Sequence, residues 1–203
     1  MRIIAGSAKG RRLTAPAGQN IRPTADRAKE ALFSIIASQL PDAIVLDLFA
    51  GTGSLGLEAL SRGAKEAIFV DCGKEALTLT AANIRACGFT PKQARLIRHD
   101  LRRGLPTEIA GRFFQVIFLD PPYDQGLADA TLTLLEGIPA ALIVAEERHS
   151  CRLAARYGNY ICQDKRRYGD TAFWFFTPEP PAEPPVEPPA EPLAEPLAEP
   201  SAD

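Results

Sequence analysis

Ile44-Val-Leu-Asp-Leu-Phe-Ala-Gly51-Thr-Gly53-Ser-Leu-Gly56 is an apolar run too short for a helix that breaks into glycine and restarts as a helical pattern. Gly51 and Gly53 let the backbone turn tightly and approach a ligand without a Cβ in the way. Gly56 falls where the following helix packs onto its strand. The alternation continues downstream. Ser54–Arg62 reads as a short helix stopped by Gly63, and Ala67–Val70 as a second strand. Lys74–Cys87 is a helix with Leu77, Ala81 and Ile84 on one face and Gly88 as its stop. Ala94–Arg98, Gln115–Leu119 and Ala141–Ala145 are strands, with a helix over Leu127–Glu136. Strands alternating with helices predict an α/β fold with a parallel, doubly wound sheet, whose ligands sit at the carboxyl ends of the strands. The runs Asn159–Asp164 and Thr171–Thr177 predict a closing antiparallel hairpin.

Outward from this core the ends differ in character. Met1–Gly6 and Arg12–Pro16 flank a Gly/Lys/Ser turn and predict a small basic β-hairpin. Ala28, Ala31, Leu32, Ile35, Ile36 and Gln39 then carry the apolar face of a helix after Pro23, with Thr24 or Asp26 as its cap. From Pro178 the chain becomes a four-residue repeat of Glu, Pro and small or apolar residues, read as an extended, disordered acidic tail. Three segments are therefore expected: 1–40, 41–177 and 178–203. The tail holds seven of the 25 acidic residues and none of the 23 basic ones, so 23 basic face 18 acidic residues before it, a net of +5. The excess gathers at Arg2, Lys9, Arg11, Arg12, Arg22, Arg27 and Lys29. A cationic edge on a balanced domain suits a phosphate backbone.

The four cysteines show no C-x-x-C and no pairing with histidine at metal spacing, which suits reduced thiols of a cytoplasmic protein and no metal. No apolar stretch follows the basic N-terminus as in a secretory signal, and none is long enough to span a membrane.

Acids end the successive strands: Asp47, then Asp71 twenty residues after Gly51, then Asp100. The glycine spacing also fits a dinucleotide fingerprint, in which Asp71 would take the ribose hydroxyls. Against NAD, a carboxylate at Asp47 would repel a pyrophosphate but attract a cationic amine. S-adenosylmethionine has ribose, adenine, a cationic amine and a sulfonium, and no phosphate. Its inventory matches the three acids.

The run Val116–Leu119 closes on Asp120-Pro121-Pro122-Tyr123. Prolines have no N–H and a fixed φ, so they offer only carbonyl oxygens in a set direction. Asp120 adds a carboxylate acceptor and Tyr123 a flat ring. This rigid, acceptor-rich lip suits the exocyclic amino group of a nucleobase.

Residues 1–177 resemble the bacterial RsmD-type methyltransferases. The likeness lies in Met1–Gly6, Arg22-Pro-Thr24 with Asp26-Arg27, Phe49–Gly53 running into Leu57–Arg62, Asp120–Tyr123, and Tyr168-Gly-Asp-Thr171. The glycine and Asp-Pro-Pro-Tyr motifs mark only amino-methyltransferases at large, whereas the N-terminal stretches are more specific to this family. The resemblance implies a Rossmann-like class I methyltransferase. Its sheet would be seven-stranded and mostly parallel, with the antiparallel hairpin at the C-terminus and the small hairpin and helix at the N-terminus. It implies methyl transfer from S-adenosylmethionine to the N2 amine of a guanine in 16S rRNA, within the small subunit or its precursor, by a monomer. The expected cofactor set is Asp47, Phe49, Ala50, Gly51, Thr52, Gly53, Asp71, Asp100, Leu101 and Thr24. Asp120 and the Pro121 carbonyl would accept the amine hydrogens beside Pro122, and Tyr123 would stack on the base. Arg2, Lys9, Arg11, Arg12, Arg22 and Arg27 would contact phosphates.

Four other readings share features of this chain. A DNA amino-methyltransferase has both motifs, but the stretch between Tyr123 and Pro178 holds only the rest of the sheet and leaves no room for a target-recognition segment. A protein-glutamine methyltransferase more typically has Asn at position 120. An NAD-dependent oxidoreductase leaves the Asp-Pro-Pro-Tyr lip unexplained, and a non-catalytic RNA-binding module would transfer no methyl group.

Overall fold

A computed structural model describes residues 1–16 and 23–180. The expected disordered tail therefore lies, beyond Pro180, outside the described residues. Its first acid is described: Glu179 pairs with Arg156, with Nη2 to Oε1 at 2.8 Å.

Five parallel strands form the centre: β1 (Ile44–Leu48), β2 (Glu66–Asp71), β3 (Ala94–Arg98), β4 (Phe114–Leu119) and β5 (Ala140–Arg148). The helices are α1 (Pro23–Ile35), α2 (Ser54–Ser61), α3 (Lys74–Cys87) and α4 (Leu127–Leu134). Three antiparallel strands complete the sheet: β6 (Arg156–Tyr157), β7 (Tyr160–Tyr168) and β8 (Thr171–Pro178). The sheet order is β3-β2-β1-β4-β5-β8-β7-β6. The count is eight rather than the expected seven, because β6 is a two-residue strand too short to leave a pattern in sequence. Both long C-terminal strands pair further than their apolar runs suggested, and β7 carries Lys165, Arg166 and Arg167 within the ladder.

Val116–Leu119 of β4 is fully buried, as a parallel strand covered on both faces must be. One face packs Val45, Phe69, Val116 and Phe118 against Leu32, Phe33 and Ile36 of the N-terminal region, Leu57 of α2 and Ile84 of α3. The other packs Leu46, Leu48, Ile117 and Leu119 with Leu132 of α4 and Trp174 and Phe176 of β8. Strand order reverses between β1 and β4, which opens a crevice at their carboxyl ends.

Helix α1 begins at Pro23 itself, so Thr24 and Asp26 lie inside its first turn rather than capping it. Ile35 and Gln39, expected on its apolar face, are exposed, since the face that meets the sheet is set by Leu32, Phe33 and Ile36.

The expected N-terminal hairpin is present in short form, closed by an antiparallel bridge between Arg2 and Arg12. Ile3 donates to the Arg11 carbonyl at 2.9 Å, Gly10 to that of Ile3 at 2.9 Å and Leu13 to that of Met1 at 3.1 Å across it, while other backbone donors of the segment go to α2. Ile4 and Ala5 donate to the Glu58 carboxylate at 2.8 and 3.0 Å, Ser7 to the Ser61 carbonyl, and Ala8 to Ser61 Oγ. Gly6 permits this approach: a Cβ there would lie 1.7 Å from the Ser61 carbonyl oxygen. Glu58, wholly buried, also meets Arg62 Nε at 2.8 Å and Lys29 Nζ at 3.3 Å. One carboxylate thus ties α1, α2 and the N-terminal segment together. No helix among the described residues is long and apolar enough to cross a membrane.

Candidate active site

A single cleft of about 1530 Å³ opens at the crevice between β1 and β4. One end is the turn after β1, where Phe49, Gly51 and Gly53 all take positive φ (62°, 57° and 77°). For Phe49, a bulky residue, that conformation is strained, and the surrounding structure must hold it. The other end is the lip after β4.

Asp47, read as an acid at the strand's end, lies within β1, one residue before its last. It is 1% exposed and sits under the turn, where its Oδ2 accepts the Gly56 N–H at 2.9 Å. Its other oxygen faces the cleft, since no buried side-chain oxygen among the described residues lacks a partner. Burial, reinforced by the nearby Asp71, pushes its carboxyl up to about 7, against the pull of the Gly56 hydrogen bond. Gly56 is required for this closeness: a Cβ would stand 2.4 Å from the Phe69 ring and 3.1 Å from Asp47 Oδ2.

Asp71 accepts from Gly51 N at 2.9 Å and Gly73 N at 2.8 Å, so it pins the turn while its remaining lone pairs face the cleft. Ala50 and Thr52 also line the cleft, and Gly53 caps α2 beneath it. The Asn83 amide joins this turn to the N-terminal segment, donating to the Thr52 carbonyl at 2.9 Å and exchanging two bonds with the Thr14 backbone. Met1, Pro16 and Lys29 form the wall on that side.

Asp100 and Leu101 lie apart from the main cleft, around a smaller cavity of about 140 Å³ that shares Phe49, Asp71 and Pro122 with it. The Asp100 carboxylate is engaged by Arg102 at 2.9 and 3.0 Å, and that hydrogen-bonded pair holds it below the usual carboxylate range.

At the lip, Asp120 is ringed by the cleft walls yet reached by water. That enclosure, then the neighbouring Glu146, with Asp47 and Glu147 adding, pushes its carboxyl well above the ordinary range. Burial also raises Glu146, helped by Glu147 and opposed by a hydrogen bond from Tyr123. The Tyr123 hydroxyl donates to Glu146 Oε1 at 2.8 Å and meets Thr171 Oγ1 at 3.0 Å. Burial, with Glu146 close by, raises the phenol. The Arg148 guanidinium covers one face of the Tyr123 ring, 5.6 Å from its centroid. Pro121 is buried and Pro122 exposed at the cleft mouth.

Arg2, Lys9, Arg11, Arg12 and Arg27 are all exposed, and Arg2 lies 3.8 Å from Asp26. Arg22 and the Thr24 side chain fall outside the described residues. Sequence reasoning missed Glu146, although it fits the rule that found Asp47, Asp71, Asp100 and Asp120, an acid closing a parallel strand. It missed Glu58 and Asn83 because polar residues inside helices look like solvated faces until the packed segment is known.

Residues 1–177 match the family described as conserved hypothetical protein 95. The Bacillus subtilis protein YlbH is 40% identical over 176 residues, spanning 84% of this chain and 95% of its own length. Ribosomal RNA small subunit methyltransferase D of Escherichia coli is 32% identical over 186 residues, 88% of this chain and 90% of that protein. The solved structure of the Escherichia coli protein yhhF superposes with a TM-score of 0.75 at 32% identity, covering 88% of this chain and 98% of that one. From its N-terminal segment to the end of its sheet, this chain belongs to the conserved hypothetical protein 95 family, the RsmD-type methyltransferases.

Proposed function

We propose that this protein methylates 16S rRNA, transferring a methyl group from S-adenosylmethionine to the exocyclic N2 amine of one guanine. One observation carries the reading. The glycine turn with Asp47 and Asp71, and the acceptor lip Asp120–Tyr123, bound the same continuous cleft. A methyl donor at one end and a nucleobase at the other therefore share one space without an intervening wall.

The residues present fit this cofactor. Asp47 offers a carboxylate oxygen to a cationic amine, and Asp71 offers lone pairs to ribose hydroxyls. A pyrophosphate in the same place would face both carboxylates. Phe49 and Leu101, with Asp100 at the rim, suit a flat ring in the smaller cavity. When bound, the cofactor supplies an electrophilic methyl on a sulfonium.

The chain's own residues act on the acceptor. A guanine amine is a poor nucleophile because its lone pair is delocalised into the ring. Asp120 and the Pro121 carbonyl accept its two hydrogens, which favours a pyramidal nitrogen and stabilises the charge developing on it. Holding nitrogen and methyl in line supplies much of the remaining acceleration. Tyr123 offers the ring face not covered by Arg148 to a base drawn out of its stack. Residues 1–40 serve as an extension that walls the cofactor and presents Arg2, Lys9, Arg11, Arg12 and Arg27 to phosphates, and 41–177 as the transferase domain. Rigid strands leave little room for a separate target-reading segment, which favours an RNA that presents its base by its own fold, in the small subunit or its precursor. Nothing in the arrangement of the cleft calls for more than a monomer in the cytoplasm.

The test is nucleoside mass spectrometry of small-subunit rRNA from cells with and without this protein. One N2-methylguanosine disappears in its absence; an unchanged rRNA profile overturns the reading.

A further inference from the structure

The Tyr168-Gly-Asp-Thr171 motif and the acid at the end of β5 have no part in the chemistry above, yet both meet the cleft. β4 and β5 are parallel and in register, with Leu119 opposite Ala145. Carried one residue past the end of β4, that register sets Asp120 beside Glu146 on the same face, at about the 4.8 Å spacing of neighbouring strands, and Glu146 is close enough to act on the Asp120 carboxyl. Both residues line the cleft.

Glu146 is held in place by a directed chain. A tyrosine hydroxyl has one hydrogen, and here it goes to Glu146 Oε1. The 3.0 Å contact to Thr171 then runs the other way, with Thr171 donating to the Tyr123 oxygen. Thr171, at the first position of β8, thereby orients Tyr123, and Tyr123 orients Glu146. Glu146 Oε2 has no partner among the described residues and is open to the cleft.

We infer that Glu146 is a specificity-determining residue that accepts the N1–H of the target guanine while Asp120 accepts from its N2 amine. This rests on the function proposed above and adds to it the group that selects the base. The Watson–Crick edge of guanine sets two donors side by side, N1–H and the amine. Two carboxylates in adjacent strand positions complement that edge. Adenine sets a bare ring nitrogen beside its amine, and that lone pair would face the Glu146 carboxylate. Selection thus comes from an unpaired acceptor left opposite an acceptor, the situation in which a polar site discriminates strongly. Thr171 and Tyr123 are positioning residues.

The experiment uses the full chain and small subunits reconstituted with 16S rRNA carrying either guanine or 2-aminopurine at the nucleotide this protein methylates. 2-Aminopurine keeps the amine but has a lone pair in place of N1–H. The wild-type protein favours guanine in kcat/KM on the order of 10–100-fold, the scale of one well-placed base-edge contact. Glu146→Gln, whose amide can donate to that lone pair, narrows or inverts the preference. Its affinity for S-adenosylhomocysteine stays near that of wild type. Equal use of both bases by the wild-type protein overturns the inference, as does a Glu146→Gln variant that keeps the wild-type ratio. If the variant does not fold, the wild-type ratio alone decides, and a value below about 3 counts against it. Failure to methylate guanine at all would instead overturn the proposed function.

Discussion

Replacing Glu58 by glutamine removes one negative charge where two cations and two backbone N–H groups converge. In the native arrangement Oε2 takes Ile4 N and faces Lys29, while Oε1 takes Ala5 N and Arg62 Nε. A glutamine can present an oxygen to only one of these pairs. Its NH₂ must then face an N–H donor and a cation. Lys29 is 5% exposed, so its ammonium cannot recover hydration. Burial already pushes that amine's pKa down, and Glu58 is the main group opposing the shift. Breaking a buried pair by removing one partner costs about 3–5 kcal/mol. For a domain of this size each kcal/mol lowers Tm by about 2–4 °C, so Glu58→Gln is expected to lose about 6–20 °C. The assay is thermal melting with denaturant titration, in which the midpoint falls and the slope is unchanged. Affinity for S-adenosylhomocysteine should fall too, because the segment released carries Met1 and Pro16 of the cleft wall. Adding Lys29→Met should recover part of the loss by removing the stranded charge. A Glu58→Gln protein melting within about 2 °C of wild type would refute the reasoning.

Four other outcomes are expected. Asp120→Ala lowers turnover on the order of 10²–10³-fold with cofactor affinity nearly intact; near-normal turnover would remove its role as acceptor. The Asp47 carboxyl, raised from 3.8 to about 7, opposes folding of the free protein increasingly as pH rises from about 4 to 7, because the ionised form is favoured in the unfolded chain. A ligand with a cationic amine reverses this preference, so calorimetry should show S-adenosylhomocysteine binding tightening as pH rises toward 7, with the rise absent in Asp47→Asn. Gly56→Ala forces a methyl into the wholly buried Phe69 ring and should cost about 1–3 kcal/mol in chemical denaturation, with weakened cofactor binding. Arg11→Ala with Arg12→Ala should weaken rRNA binding and lessen the slope of log affinity against log salt by about 1–2, and an unchanged slope would take these residues out of the interface.

The parallel core was legible because its signals are local. Glycines at fixed spacing, apolar runs of strand length and stop residues such as Gly88 each act over a few residues. α3 and β3 fall where the pattern placed them. What was not legible depended on distant partners. The N-terminal segment alternates like a hairpin and forms one, but what docks it is Glu58 and Ser61, more than fifty residues away, which take the N–H groups of Ile4, Ala5 and Ala8. Asp47 was recognised as an acid near the turn, but its burial follows from the Gly56–Phe69 contact across α2 and β2. The pairing of Asp120 with Glu146 is a matter of strand register, which one strand's sequence cannot express. The Tyr123 ring was legible as a platform, whereas its tether to Thr171 required knowing that β8 inserts beside β5.

That insertion also decides where the polypeptide departs. β8 starts at Thr171 on the cleft and runs eight residues to Pro178, about 25 Å along the sheet, before Glu179 fastens to Arg156. An affinity handle, dye or surface linker joined past that point would be tethered at the pole remote from the opening where substrate must enter. Immobilising the enzyme by its C-terminal side should accordingly leave the cleft mouth clear, whereas an N-terminal fusion would start from Met1 on the cleft wall.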